Sequence, residues 1–103
     1  MPFALLASVR ADSDAIRAQL RHDHLRYIDD HKSSIVAGGP TLRDGKPETM
    51  IVLTSFIQRS DAEAFIRMEP YNASGRVFSS VEILDWSQVL PEREAAQTSN
   101  ETT

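Results

Sequence analysis

All three histidines of the chain lie within residues 21–31, RHDHLRYIDDH, together with three aspartates. Side chains of these types do two kinds of chemistry: they hold a metal ion, or they move protons near neutral pH. Spacing decides between them. On a helix His22 and His24 point about 200° apart and cannot close on one ion, while His24 and His31 share a side but stand about 10 Å apart along the axis. No metal is expected. Stepping by four from Ile16 and Leu20 reaches His24 and then Ile28, so His24 interrupts the apolar side of the helix. An imidazole placed so is either a core residue with one hydrogen-bond partner or a general base facing a pocket. His22 and His31 read as exposed helix residues, and Asp23, Asp29 and Asp30 as a solvated face.

A base needs a group that orients it. The sequence offers Glu69 in MEPY, where a second helix should end; its alternative is an exposed carboxylate before a turn proline. Tyr71 and Tyr27 are core aromatics or hydroxyl donors. Gly38 and Gly39 before Pro40 let the backbone approach a ligand, although a strand end has the same composition. Arg21 is free to pair with an anionic group or to lie on the surface. The candidate set is thus His24 and Glu69 as a catalytic pair, with Arg21, Tyr71, Gly39 and Pro40 as substrate contacts.

The elements that must position these residues follow from periodicity. FALLASV (3–9) is a short apolar run suited to a buried strand, and residues 11–33 contain no Gly or Pro and open with the capping types Asp12 and Ser13, as a long helix does. Ile16, Leu20, Leu25 and Ile28 should form its buried face. A brief strand at 33–40 should stop at Gly38-Gly39-Pro40, a turn should form around Asp44-Gly45, and a strand at 49–56 should return antiparallel. Ser60 and Glu63 have capping-box spacing for a helix ending at Met68, and residues 75–86 alternate as a partly covered strand.

This β-α-β-β-α-β order is the split pattern of the ferredoxin-like α+β fold: a four-stranded antiparallel sheet with both helices on one face. The other face is left uncovered, and a second copy of the chain is the simplest cover, so a homodimer is expected. Residues 1–90 form a single domain, and the polar tail at 91–103 is expected to be disordered or to wrap a partner subunit.

Composition narrows the function classes further. With 41% hydrophobic and 25% charged residues the chain is an ordinary globular protein, and no apolar run approaches the roughly 18 residues of a membrane span. The cytoplasm is the expected compartment. There is no cysteine, which excludes disulfides, thiolate nucleophiles and sulfur-ligated metals. A net charge of −4 gives no footprint for nucleic acid or an anionic membrane.

Several short motifs in order carry a resemblance: Arg21-x-x-His24-Leu25, AGGP at 37–40, EPY at 69–71, then ASG with VF, and a closing DW. In this series the chain resembles the YciI-like (YCII-related) family of the dimeric α/β-barrel group over residues 3 to about 86. The resemblance implies that His24 and Glu69 stand where the family has its proposed histidine and aspartate, with glutamate one methylene longer. It also implies a cofactor-free lyase of the dehydrochlorinase type, which eliminates HCl from a chlorinated trihydroxybenzene to give a hydroxybenzoquinone. Isomerisation or lactone chemistry with the same base, or a non-enzymatic small-molecule-binding dimer, are the alternatives.

Overall fold

A computed structural model of the protein describes residues 2–91; the expected tail lies, from residue 92 onward, outside the described residues. The chain runs β1 (Phe3–Val9), α1 (Asp14–Asp30), a 3-10 turn (Lys32–Ser34), β2 (Ile35–Arg43), β3 (Lys46–Thr54), α2 (Arg59–Met68), the short α3 (Pro70–Ala73) and β4 (Phe78–Asp85). The strands form one antiparallel sheet in the order β2-β3-β1-β4. This is the ferredoxin-like α+β fold.

Alternation along each strand selects what faces the helices. Phe3, Leu5 and Ala7 of β1 and Val52 and Thr54 of β3 are buried, and they meet Ile16 of α1 and Ala62, Phe65 and Ile66 of α2. The buried Thr54 hydroxyl is satisfied, since its Oγ1 donates to the Phe3 carbonyl at 2.7 Å. On the opposite face the register brings Leu6 beside Ile51, and Ala4 between Leu53 and Leu84. Among the described residues no helix covers that row, in which Glu82 flanks Leu6 on β4.

The element boundaries differ from the sequence expectations for local reasons. β2 does not stop at Gly38-Gly39-Pro40 but continues to Arg43. It is an edge strand, where a proline without an amide proton is tolerated, and a side chain at Gly38 would press to 3.3 Å from the Ile51 carbonyl. The turn is the two residues Asp44 and Gly45, both at positive φ (52° and 78°), the conformation that matches a tight hairpin. β3 therefore starts earlier, at Lys46. The capping box does not form: α2 begins at Arg59 after Gln58, and Glu63 pairs with Arg59 at 3.4 Å instead. Ser13 does precede α1, yet its hydroxyl donates to the Arg10 carbonyl at 2.7 Å rather than capping the helix. No helix among the described residues is long and apolar enough to cross a membrane.

Candidate active site

The helices and the sheet do not close everywhere. Between α1, the α2–α3 junction and the β2–β3 hairpin lies a cavity of about 340 Å³, within the range that small-molecule sites occupy. Its sheet and hairpin side is apolar, including Leu5, Ala7, Met50, Val52, Pro40 and Pro47. Its polar groups come from the helical side: Arg17, Arg21 and His24 of α1, then Glu69 and Tyr71.

His24 is buried, and its Nδ1 stands 2.5 Å from Glu69 Oε1. Glu69 reaches it because of where the chain turns: the residue ends α2 and, with Pro70 fixed in the first helical position, begins α3. Its Oε2 accepts the Tyr71 amide and, at 3.4 Å, the Asn72 amide, as an N-cap does. An ionised carboxylate only accepts, so a neutral imidazole paired with Glu69 donates from Nδ1–H and carries its lone pair on Nε2. Nε2 has no hydrogen-bond partner among the described residues. The Tyr71 ring lies flat on the imidazole, 3.9 Å between centroids and 3° between planes, which fixes the orientation of the base from a second direction.

Tyr71 is anchored in turn by its hydroxyl, which donates to the Arg17 carbonyl at 3.3 Å. Burial pushes its phenol pKa up, and Glu69 adds to this while Arg21 and Arg17 oppose it. Tyr71 is therefore a donor at neutral pH and not a competing base. Burial also raises Tyr27, which lies outside the cavity lining and donates to the Phe65 carbonyl at 2.8 Å.

The structure thus brings His24, Glu69, Arg21, Tyr71, Gly39 and Pro40 together around one cavity. Leu25, expected on the buried face, is 49% exposed at the cavity wall. His31 is half-buried rather than exposed, because its Nδ1–H donates to the Tyr27 carbonyl at 2.8 Å and its ring packs on Tyr27 and Phe65. Arg17 was not singled out by the sequence reasoning. The signal for it is a second stripe, Arg17, Arg21, His24 and Ile28, at helical spacing, and all four line the cavity. Among the described residues no group of three His, Asp or Glu side chains is placed to hold a metal ion.

Fold and site together define a ferredoxin-like α+β protein with a histidine–carboxylate pair in a small apolar cavity. The chain belongs to the YCII-related domain family, whose model matches residues 1–87. In structure it is similar to the 5-chloro-2-hydroxyhydroquinone dehydrochlorinase from Burkholderia phenoliruptrix AC1100, solved in complex with 2,5-dihydroxybenzoquinone. The TM-score is 0.77 at 22% identity, over 85% of this chain and 95% of that one. At that identity the likeness establishes the fold. No curated protein matches the sequence.

Proposed function

We propose that the protein is a cofactor-free lyase of the dehydrochlorinase type, acting on a small chlorinated polyhydroxybenzene with His24 as general base. The observation that supports this most directly is the 2.5 Å contact between His24 Nδ1 and Glu69 Oε1 at the wall of an apolar cavity. In this reading the imidazole donates from Nδ1–H to Glu69 and its lone pair stands on Nε2. The 2,5-dihydroxybenzoquinone bound by the structural neighbour supports the choice of substrate class.

In this reading His24 takes a phenolic proton, and the ring accepts a proton at the chlorine-bearing carbon to give a keto tautomer. Loss of a proton from a second hydroxyl then drives out chloride with the electron pair of the C–Cl bond. The trihydroxybenzene loses H⁺ and Cl⁻ and becomes a hydroxybenzoquinone, so no external oxidant enters. Glu69 orients the imidazole and stabilises the imidazolium. Arg21 faces a phenolate or the departing chloride, while Tyr71, Gly39 and Pro40 bound the ring. The uncovered sheet face packs against a second copy in a homodimer.

Chloride release and quinone absorbance, followed together on a panel of chlorinated and unchlorinated hydroxybenzenes and lactones, test the reading. His24→Ala should lower turnover about 10² to 10⁴-fold, the usual worth of a general base. Turnover near wild type in that variant would remove His24 as the base. Product formation without halide would instead assign isomerase chemistry to the same pair.

A further inference from the structure

The charged groups of the cavity do not balance: two guanidiniums, Arg17 and Arg21, line it against the one carboxylate of Glu69. Glu69 is already committed to His24 and to two backbone amides. The two arginines differ in how they are held. Arg17 Nε donates to Ser13 Oγ at 3.0 Å and its Nη2 pairs with Asp14, whose other oxygen lies 3.5 Å from Lys46 Nζ on the hairpin. Of its five N–H donors, three remain for a ligand. Arg21 has no carboxylate partner among the described residues. Its charge acts to lower the Tyr71 phenol pKa, against the larger effect of burial.

Geometry then limits what the cavity accepts. Arg21 precedes His24 by three residues, about 4.5 Å along the helix axis and on the same side. Both side chains open on the same cavity, so one ring can present an ionised oxygen to Arg21 and a hydroxyl to Nε2 of His24. In an apolar cavity an anion would otherwise be strongly disfavoured, so the guanidiniums decide which ionisation state enters.

We propose that Arg17 and Arg21 form an oxyanion-recognition site, and that the molecule His24 deprotonates is bound already as an anion, a hydroxyarene ionised at one oxygen. The inference rests on His24 being the base, but the binding half of it is testable without turnover.

The probe is 4-nitrophenol, whose phenolate absorbs in the visible, titrated into the full-length protein below the pKa of the free phenol, with 4-nitroanisole as its neutral analogue and benzoate as a carboxylate. The wild type should bind 4-nitrophenol as the phenolate, seen as growth of the visible band, and should bind 4-nitroanisole roughly 10- to 100-fold more weakly, the worth of a charge-assisted hydrogen bond. Arg21→Gln should reduce phenolate affinity to the level of the anisole, and Arg21→Lys should recover part of it. Added sodium chloride should weaken phenolate and leave the anisole unchanged, a readout on the wild type that needs no variant. Stronger binding of benzoate than of phenolate would uphold the oxyanion site and assign its source to a carboxylate. Equal binding of phenolate and anisole, or unchanged affinity in Arg21→Gln, would overturn the proposal. In His24→Ala the phenolate should still bind. If Arg21-dependent binding persists there while no substrate is turned over by the wild type, the anion site stands and the lyase reading falls.

Discussion

At the scale of single residues, Glu69 joins stability to chemistry. It closes α2, caps α3 and holds His24, all while 3% exposed. Removing it leaves a buried imidazole proton and two helix-end amides unpaired. Glu69→Ala should therefore cost about 2 to 4 kcal/mol in urea unfolding, the sum of a lost cap and a charge-assisted bond. Glu69→Gln keeps an acceptor oxygen, so it should cost less in stability while lowering turnover in the assay above. A Glu69→Gln protein with wild-type activity would mean that the imidazolium is not stabilised by this carboxylate. Tyr71 yields a pH prediction. Its phenol pKa is raised in the fold, so the native state holds that proton more tightly than the unfolded chain. The resulting stability is complete below the ordinary tyrosine value of about 10 and is lost as pH rises through the folded value. Tyr71→Phe should be less stable than wild type by about 0.5 to 1.5 kcal/mol at neutral pH through the lost hydroxyl bond. That gap should narrow as unfolding is repeated above pH about 10; a constant gap would show that the phenol is not what titrates.

At the scale of elements, the β2–β3 hairpin is the apolar wall of the cavity and depends on its two-residue turn. Gly45 at φ 78° occupies a conformation that a Cβ disfavours. Gly45→Ala should destabilise the protein by about 1 kcal/mol, read as a lower urea midpoint at unchanged slope. No change would mean that the turn relaxes into another type. The same hairpin shows where sequence reading runs out. Gly38, Gly39 and Pro40 look like the end of a strand because strand ends and edge strands tolerate the same residues; strand order, a property of distant pairings, separates the two. Ser60 and Glu63 have the spacing of a capping box, yet helix α2 begins two residues earlier, after Gln58 and not after Ser60, and Glu63 finds Arg59. By contrast, the position of His24 was legible because four-residue steps from Ile16 are local. Its approach to Glu69 was legible because both helices had to share a sheet face. Arg17 escaped notice because an arginine on a helix ordinarily belongs to solvent, and here the cavity takes the place of solvent.

At the scale of the whole molecule, the sheet face that no described helix covers is the surface on which the proposed homodimer is tested. Leu6, Ile51 and Leu53 are half-buried and Leu84 is 44% exposed, and the register sets them in one contiguous patch with Ala4. In a two-fold dimer each such side chain is buried twice, at about 1.5 to 3 kcal/mol per fully covered leucine or isoleucine. Ile51→Asp should therefore halve the mass measured by sedimentation equilibrium while leaving the helical circular dichroism in place. A monomeric wild type would show that the patch has no second copy on it. The two sides of the cavity also divide the labour of the site. The charged and titratable groups of the cavity lie on α1 and the α2–α3 corner, whereas its sheet and hairpin side is apolar. A hairpin wall can change its side chains and reshape the cavity without disturbing the 2.5 Å contact opposite. The architecture is in this sense modular with respect to evolution: one wall can vary in shape while the histidine–carboxylate pair, tied to a helix corner, stays as it is.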